Sequence, residues 1–272
     1  MSLNLAAAVI VGLVGTVFNQ GISSPDLESA ILRKDTIAVT RSAVNAVEVT
    51  ATPAIRVVPA DFGVFQSVAI SAAGLPSAAR WQEARETDYA VFFSAACETA
   101  GFEQCDSAFA TTLRDVANRA SGLERELLDM ANRSVNGAMT YRDDRQVWGT
   151  SDHWATPVEM AARGAGDCED YAIAKYWLLR SLGVADENLQ LVILQDTRRQ
   201  VFHAVLVAHM TTGSYVLDNV SNRLQADSAY GQYQPIMSFA GAKNFIHGFE
   251  SGSRAVAAMP ADLATVAPGV GP

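Results

Sequence analysis

An α+β fold is what this chain predicts, on three observations. A helical apolar stripe runs from Leu113 to Met130, and a glycine-rich turn opens a second, more apolar helix at Cys168. C-terminal to both come short β-type runs broken by a turn at Thr211-Thr212-Gly213-Ser214. Helices first and an antiparallel sheet afterwards is the α+β order.

Taken in order, residues 1–20 read as a signal peptide or membrane anchor. Leu3 to Phe18 is an apolar run with no charged side chain before Asp26. That length fits a secretory signal and is short for a membrane span. No Lys or Arg precedes the run, and no clean small-x-small site follows it. Residues 21–85 are Ala-, Val-, Ser- and Thr-rich and read as a low-complexity leader or linker. Within them Thr36–Thr40 and Ala54–Val58 have strand composition, the second bounded by Pro53 and Pro59.

The domain proper is expected over residues 86–250, with order beginning near Asp88. Leu113, Val116, Ala120, Leu123, Leu127 and Met130 form one apolar stripe, on a single helix or a pair broken at Gly122. Asn136-Gly137 supplies a C-terminal stop. Trp148 to Met160 reads as loop, and Cys168 to Leu182 as a buried helix ending at Gly183. Leu189–Leu194, Val201–His209 and Tyr215–Val220 read as strands, the last two as a hairpin. Residues 251–272, rich in Ala, Pro and Gly, read as a flexible tail.

Composition narrows the function. The 272 residues carry 20 basic and 29 acidic side chains, a net charge of −9, with no basic run. Phosphate binding needs clustered Lys and Arg, so a general nucleic-acid binder is excluded. A hydrophobic fraction of 49% against 18% charged residues argues for a packed core. Three cysteines leave one unpaired. Cys97 and Cys105 could close a small loop in an oxidising compartment, the alternative being two reduced thiols.

Cys168 follows Gly164-Ala165-Gly166-Asp167, so it falls in the first turn of its helix with Asp167 at the N-cap. Free N–H groups and the helix dipole there favour a thiolate, the competent nucleophile for acyl transfer. The plainer alternative is a small packed cysteine. A nucleophile needs a base and a group to orient it. His203 lies in the first arm of the hairpin and Asp218 in the second. Direct opposition of the two would centre the turn between Met210 and Thr211, whereas Gly213 suggests a centre nearer Thr212 and Gly213. A bulge, an asymmetric loop or a diagonal relation must reconcile them. His209 is a weaker competitor on the same strand face. His153 and His247 fall in expected loops. Asp167, Glu169 and Asp170 crowd negative charge around the thiol, which opposes its ionisation and which a hard cation would relieve. Asp152 could add an oxygen. No Cys/His cluster has zinc spacing.

Trp154-Ala155-Thr156-Pro157-x-Glu159, Gly166-Asp167-Cys168-Glu169-Asp170-Tyr171-Ala172-Ile173-Ala174-Lys175-Tyr176, His203-Ala204-Val205-Leu206 and Val216-Leu217-Asp218-Asn219 together resemble the bacterial transglutaminase-like cysteine proteinases. The best-understood branch is the LapG-like periplasmic proteases that release biofilm adhesins. The likeness covers about Asn132 to Gly248. It implies a papain-like, transglutaminase-like core and a catalytic triad of Cys168, His203 and Asp218. It further implies Ca2+ held by Asp167, Glu169 and Asp170, a protein substrate such as a surface adhesin, an inhibitory membrane receptor and a periplasmic location. The oxyanion would meet the Cys168 N–H and a donor from the preceding loop, with Trp154 the candidate and a plain core aromatic the equal alternative for that residue. Transglutaminase or amidase chemistry on the same triad is the nearest alternative. A non-catalytic binding or regulatory module of the same fold is a more distant one. Trp177 is expected in the core.

Overall fold

The computed structural model describes residues 61–120, 122, 124–250, 260 and 262–269, all within one compact unit, Ala51–Pro272. The apolar run Leu3–Phe18 and the strand-like stretches Thr36–Thr40 and Ala54–Val58 lie outside the described residues. Helices come first. They are α1 (Ala78–Glu83), α2 (Ala108–Arg119), α3 (Glu124–Ala138), α4 (Asp144–Val147), α5 (Pro157–Arg163) and α6 (Cys168–Ser181). A seven-stranded sheet runs in the order β1-β9-β8-β4-β5-β6-β7 with every pair antiparallel. Its strands are β1 (Val68–Ser71), β4 (Leu189–Asp196), β5 (Val201–Met210), β6 (Gly213–Asp218), β7 (Ser221–Ala226), β8 (Tyr233–Ala240) and β9 (Lys243–Gly248). A separate parallel pair, β2 (Thr140–Tyr141) and β3 (Ala165–Gly166), joins the end of α3 to the entry of α6. The α+β class is therefore observed.

Local chemistry explains the boundaries. The stripe from Leu113 to Met130 divides into α2 and α3, with Gly122 between them at φ +132°. Ser107 caps α2 by accepting the Ala110 N–H at 3.1 Å. Asn136-Gly137 does not stop α3, which continues to Ala138. The Asn136 side-chain amide is spent on the Asp218 carbonyl at 2.9 Å instead of on its own helix end. The expected loop Trp148–Met160 yields the start of α5. Pro157 stands at N1, and Thr156 and Glu159 cap each other's backbone N–H groups at 2.8 and 3.4 Å. Gly183, at φ +85°, closes α6 as expected.

The ordered fold begins well before Asp88. β1 pairs with β9, and the indole N–H of Trp81 in α1 donates to the Gly241 carbonyl at 3.1 Å. β1 is a four-residue edge strand with Val68 and Ile70 exposed, so it lacks the alternation that announces a strand. β7, β8 and β9 were not foreseen. In β8 Pro235 sits where the β4 register slips past Ile236, the bulge that lets a proline stay inside a sheet.

Both sheet faces are covered. Leu206, Ala208, Met237 and Phe239 meet Ile173, Tyr176, Trp177 and Leu179 of α6 in the larger core. On the opposite face Val192, Leu194, Val205 and Val207 meet Val64, Phe65, Tyr230 and Tyr233. Two-sided burial is why β4 and β5 read as unbroken apolar runs. Trp177 is in the core as expected, its indole N–H donating to the Ala84 carbonyl at 3.0 Å. His247 is not a loop residue; it lies buried on β9. Cys97 and Cys105 are joined as a disulfide across a Cα separation of 5.9 Å, leaving Cys168 as the free cysteine. Among the described residues no helix is long and apolar enough to cross a membrane.

Candidate active site

Cys168 is the first residue of α6, delivered by Gly164, Gly166 and Asp167. Gly164 ends α5 in the left-handed conformation at φ +64°. Gly166 is required by space: a Cβ there would meet Asp170 Oδ2 at 2.4 Å. Asp170 sits so close because it accepts the Asp167 N–H at 3.2 Å on Oδ2 and the Ala155 N–H at 2.7 Å on Oδ1. It thereby locks the helix start to the loop before α5.

β5 comes alongside at its free edge. Met210 pairs with Gly213, which centres the β5–β6 turn between Thr211 and Thr212. His203 and Asp218 are therefore diagonal neighbours on one sheet face, and no bulge in this hairpin is needed. The register irregularity falls between β6 and β7 instead. His203 Nε2 lies 2.9 Å from Asp218 Oδ1. With Nε2–H directed at a carboxylate, Nδ1 is the nitrogen left to accept a proton. The other Asp218 oxygen accepts the Tyr233 hydroxyl at 2.6 Å, and the Val220 N–H reaches Oδ1 at 3.0 Å. Burial alone would raise this carboxyl. The His203 hydrogen bond and charge, with those two donors, outweigh burial and hold it down at about 2.

The β5–β6 ladder stops at Leu206–Leu217, so Phe202 and Ala204 point their backbone groups off an edge that no described strand covers. The Ala204 N–H lies close enough to the Cys168 sulfur to favour its ionised form. Opposing it, burial first and then the Asp167 charge push the thiol well above its ordinary value. The thiol donates to Glu169 Oε2 at 3.3 Å. Cys168 and His203 are each only 2% exposed.

The acids are the second feature. Oxygens of Asp144, Asp167 and Asp170 lie within 4.8 Å of one another, as do those of Asp144, Asp152 and Glu169. Burial raises all four of Asp144, Asp167, Glu169 and Asp170, Asp167 to about 7. Asp144 Oδ1, Asp167 Oδ1 and Glu169 Oε1 are buried with no hydrogen-bond partner. Three orphaned carboxylate oxygens in one place fit a hard cation, which takes oxygen ligands of this kind. Asp167 and Glu169 thus meet as expected. Asp170 joins the cluster with both its oxygens already on backbone N–H groups. Asp144 was missed, although the Asp143-Asp144 pair ahead of the loop is a visible acidic signal.

Trp154 does not serve as the oxyanion donor expected of it. Its indole N–H is taken by Asp152 at 3.1 Å, and its ring packs on Phe239. Tyr233, Asn136 and Tyr141 were also missed. Each reaches the site from a distant stretch of chain, with no local pattern to mark it. Tyr141 arrives because β2 pairs with β3, setting it opposite Gly166. Lys175 is fully buried, its ammonium unpartnered and 5.7 Å from the Tyr171 ring centre.

Residues 85–242 match the bacterial transglutaminase-like cysteine proteinases (BTLCP). Among solved structures, Legionella pneumophila LapG in a calcium-bound form is 26% identical, with a TM-score of 0.46, over 54% of this chain and 83% of that one. EGTA-treated Legionella pneumophila LapG gives 26% and 0.46 over 51% and 75%. No curated protein matches the chain. The family match takes in more than half of the sequence, including Cys168, His203 and Asp218, and the chain belongs to the bacterial transglutaminase-like cysteine proteinase family.

Proposed function

We propose that this proteinase is an endopeptidase in which Cys168 is the nucleophile, His203 the general base and Asp218 the residue that orients it. The observation that carries the reading is the His203–Asp218 pair, joining β5 to β6, beside an Ala204 N–H that faces the Cys168 sulfur. The sulfur attacks a peptide carbonyl carbon while His203 Nδ1 takes the thiol proton. The imidazolium then protonates the departing amine, and water, deprotonated by His203, releases the acyl group. Asp218 holds the tautomer and stabilises the cation. The Cys168 backbone N–H, at the start of α6, is the donor offered to the oxyanion.

Calcium dependence is part of the proposal. Asp167 and Glu169, with Asp144, would hold Ca2+ through their orphaned oxygens, and Asp170 would brace the site from the cap. A bound divalent cation supplies positive charge that cancels carboxylate repulsion and favours the thiolate. Export to the periplasm is supported by the apolar run Leu3–Phe18 and by the Cys97–Cys105 disulfide. A surface adhesin as substrate and a membrane receptor as inhibitory partner follow from the family resemblance.

Casein hydrolysis, measured with Ca2+, after exhaustive EGTA treatment and after Ca2+ is restored, tests the reading. Activity should be lost on chelation, regained on repletion, and insensitive to calcium in Asp167→Asn. Unchanged hydrolysis after chelation removes the cation from the account.

A further inference from the structure

The C-terminal segment does not simply trail away. Leu263–Thr265 form a short 3-10 turn whose N-cap Asp262 accepts the Ala264 N–H at 2.9 Å. Val266 then enters the main core at 3% exposure. Three residues later Gly269 donates its N–H to the Phe202 carbonyl at 2.9 Å. That carbonyl belongs to the residue before His203 and leaves β5 by the same edge as the Ala204 N–H that faces Cys168. On its other side Gly269 adjoins the approach to the nucleophile. A Cβ built on it would lie 3.5 Å from the Tyr141 hydroxyl and 3.6 Å from Asp167 Oδ2. The segment is therefore seated between the residue preceding the base and the residue preceding the nucleophile.

We propose that Leu263–Gly269 is an internal occupant of the peptide-binding cleft, its turn at Gly269 holding the β5 edge through the Phe202 carbonyl in the place a protein substrate must take. This rests on the cysteine-peptidase reading above and assigns that site a regulation in cis. Backbone pairing at a free strand edge is how peptides are commonly captured, with main-chain hydrogen bonds independent of side-chain identity. It sets the segment beside two residues, Cys168 and His203, that are each 2% exposed, so a substrate competes with it for the approach to them. A tethered segment competes at an effective concentration of roughly millimolar. A substrate engages when it out-competes the segment or when a partner draws the segment away.

The test is the rate at which a glycyl-glycyl chloromethyl ketone alkylates the calcium-loaded full chain, with the modified residue located by mass spectrometry. Gly269→Pro removes the donated N–H and cannot adopt φ +79°. Val266→Asp removes the anchor. Each variant should be alkylated at Cys168 at least about tenfold faster than wild type, as expected for losing a tethered competitor. A synthetic peptide of residues 262–272 should slow the variants again. Gly269→Pro leaves the core untouched, so it decides the matter even where Val266→Asp melts early. Equal alkylation of Cys168 in wild type and Gly269→Pro overturns the internal occupant while leaving the nucleophile in place. Alkylation that never falls on Cys168 overturns the peptidase reading itself.

Discussion

At the scale of single residues, the site depends on atoms that hold other atoms. Asp218 is useful as a carboxylate only while buried donors keep it ionised, and Tyr233 is the strongest of those outside the pair with His203. Tyr233→Phe removes a hydrogen bond to a charged acceptor, an interaction worth about 1.5–3 kcal/mol. We expect kcat/KM on casein to fall roughly tenfold, with Cys168 still alkylated and the fold intact by circular dichroism. An unchanged kcat/KM would show that His203 alone suffices to hold Asp218. The placement of Cys168 at a helix start and the His203–Asp218 contact were legible in the sequence because each residue sits in a compact local pattern: a glycine turn, a strand arm and a hairpin return. Tyr233 and Asp144 were not. A phenol on a distant strand and an acid on a four-residue helix acquire meaning only once the chain has folded. Of the two readings open for Trp154, the core aromatic is the one the structure shows. Its position before the nucleophile suggested a donor, but the donor was already committed to Asp152.

At the scale of elements, legibility followed periodicity. α2, α3 and α6 were readable from a 3.6-residue stripe or from a glycine turn and N-cap. β4, β5 and β6 were readable as apolar runs with a turn between them. The hairpin shows what spacing can and cannot settle. Residue counting allowed two turn centres, and the structure takes neither: the two-residue turn at Thr211–Thr212 sets His203 diagonal to Asp218. The edge strand β1 and bulged β8 escaped notice because exposure and Pro235 erase the pattern a strand normally writes. α6 is the element on which the chemistry turns. Gly166 has no room for a side chain, because Asp170 fills that space to tie the start of α6 to Ala155. The same carboxylate therefore shapes the helix entry and adds to the negative field around the thiol.

At the scale of the whole molecule, a second polar system crosses the sheet on the same face as the His203–Asp218 pair. Ser214 bonds His209 at 2.8 Å, His209 bonds Gln190 at 2.7 Å, and Gln190 bonds Ser238 at 2.7 Å. Ser238 bonds His247 at 2.7 Å, and His247 bonds Ser67 at 2.7 Å. Ser67 donates onward to the Val64 carbonyl at 2.6 Å, which fixes the direction of every donor back along the chain. Both imidazoles are then neutral, and burial depresses each to about 4. The Asp61 charge pulls His209 weakly the other way. A base depressed by folding takes up its proton more readily in the unfolded chain. Its stabilising contribution is complete above about pH 6.5 and is lost as pH falls toward 4, on the order of 1 kcal/mol per pH unit for each group. Asp167, raised by burial, runs in the opposite sense. A difference measurement isolates the histidine: the Tm advantage of wild type over His209→Gln should shrink between about pH 7 and pH 4.5. A constant difference would show that His209 does not titrate in this window.

The proposed chemistry rests on Cys168 being a nucleophile armed by His203 on the edge of β5. Its most direct test is the iodoacetamide labelling rate of the calcium-loaded chain from about pH 5 to pH 9, mapped by mass spectrometry in wild type, Cys168→Ala and His203→Ala. The predicted result is labelling confined to Cys168, absent in Cys168→Ala, and slower in His203→Ala, with its rise moved to higher pH toward that of an unassisted thiol. Equal labelling of wild type and Cys168→Ala, or a pH profile unmoved by His203→Ala, would contradict it.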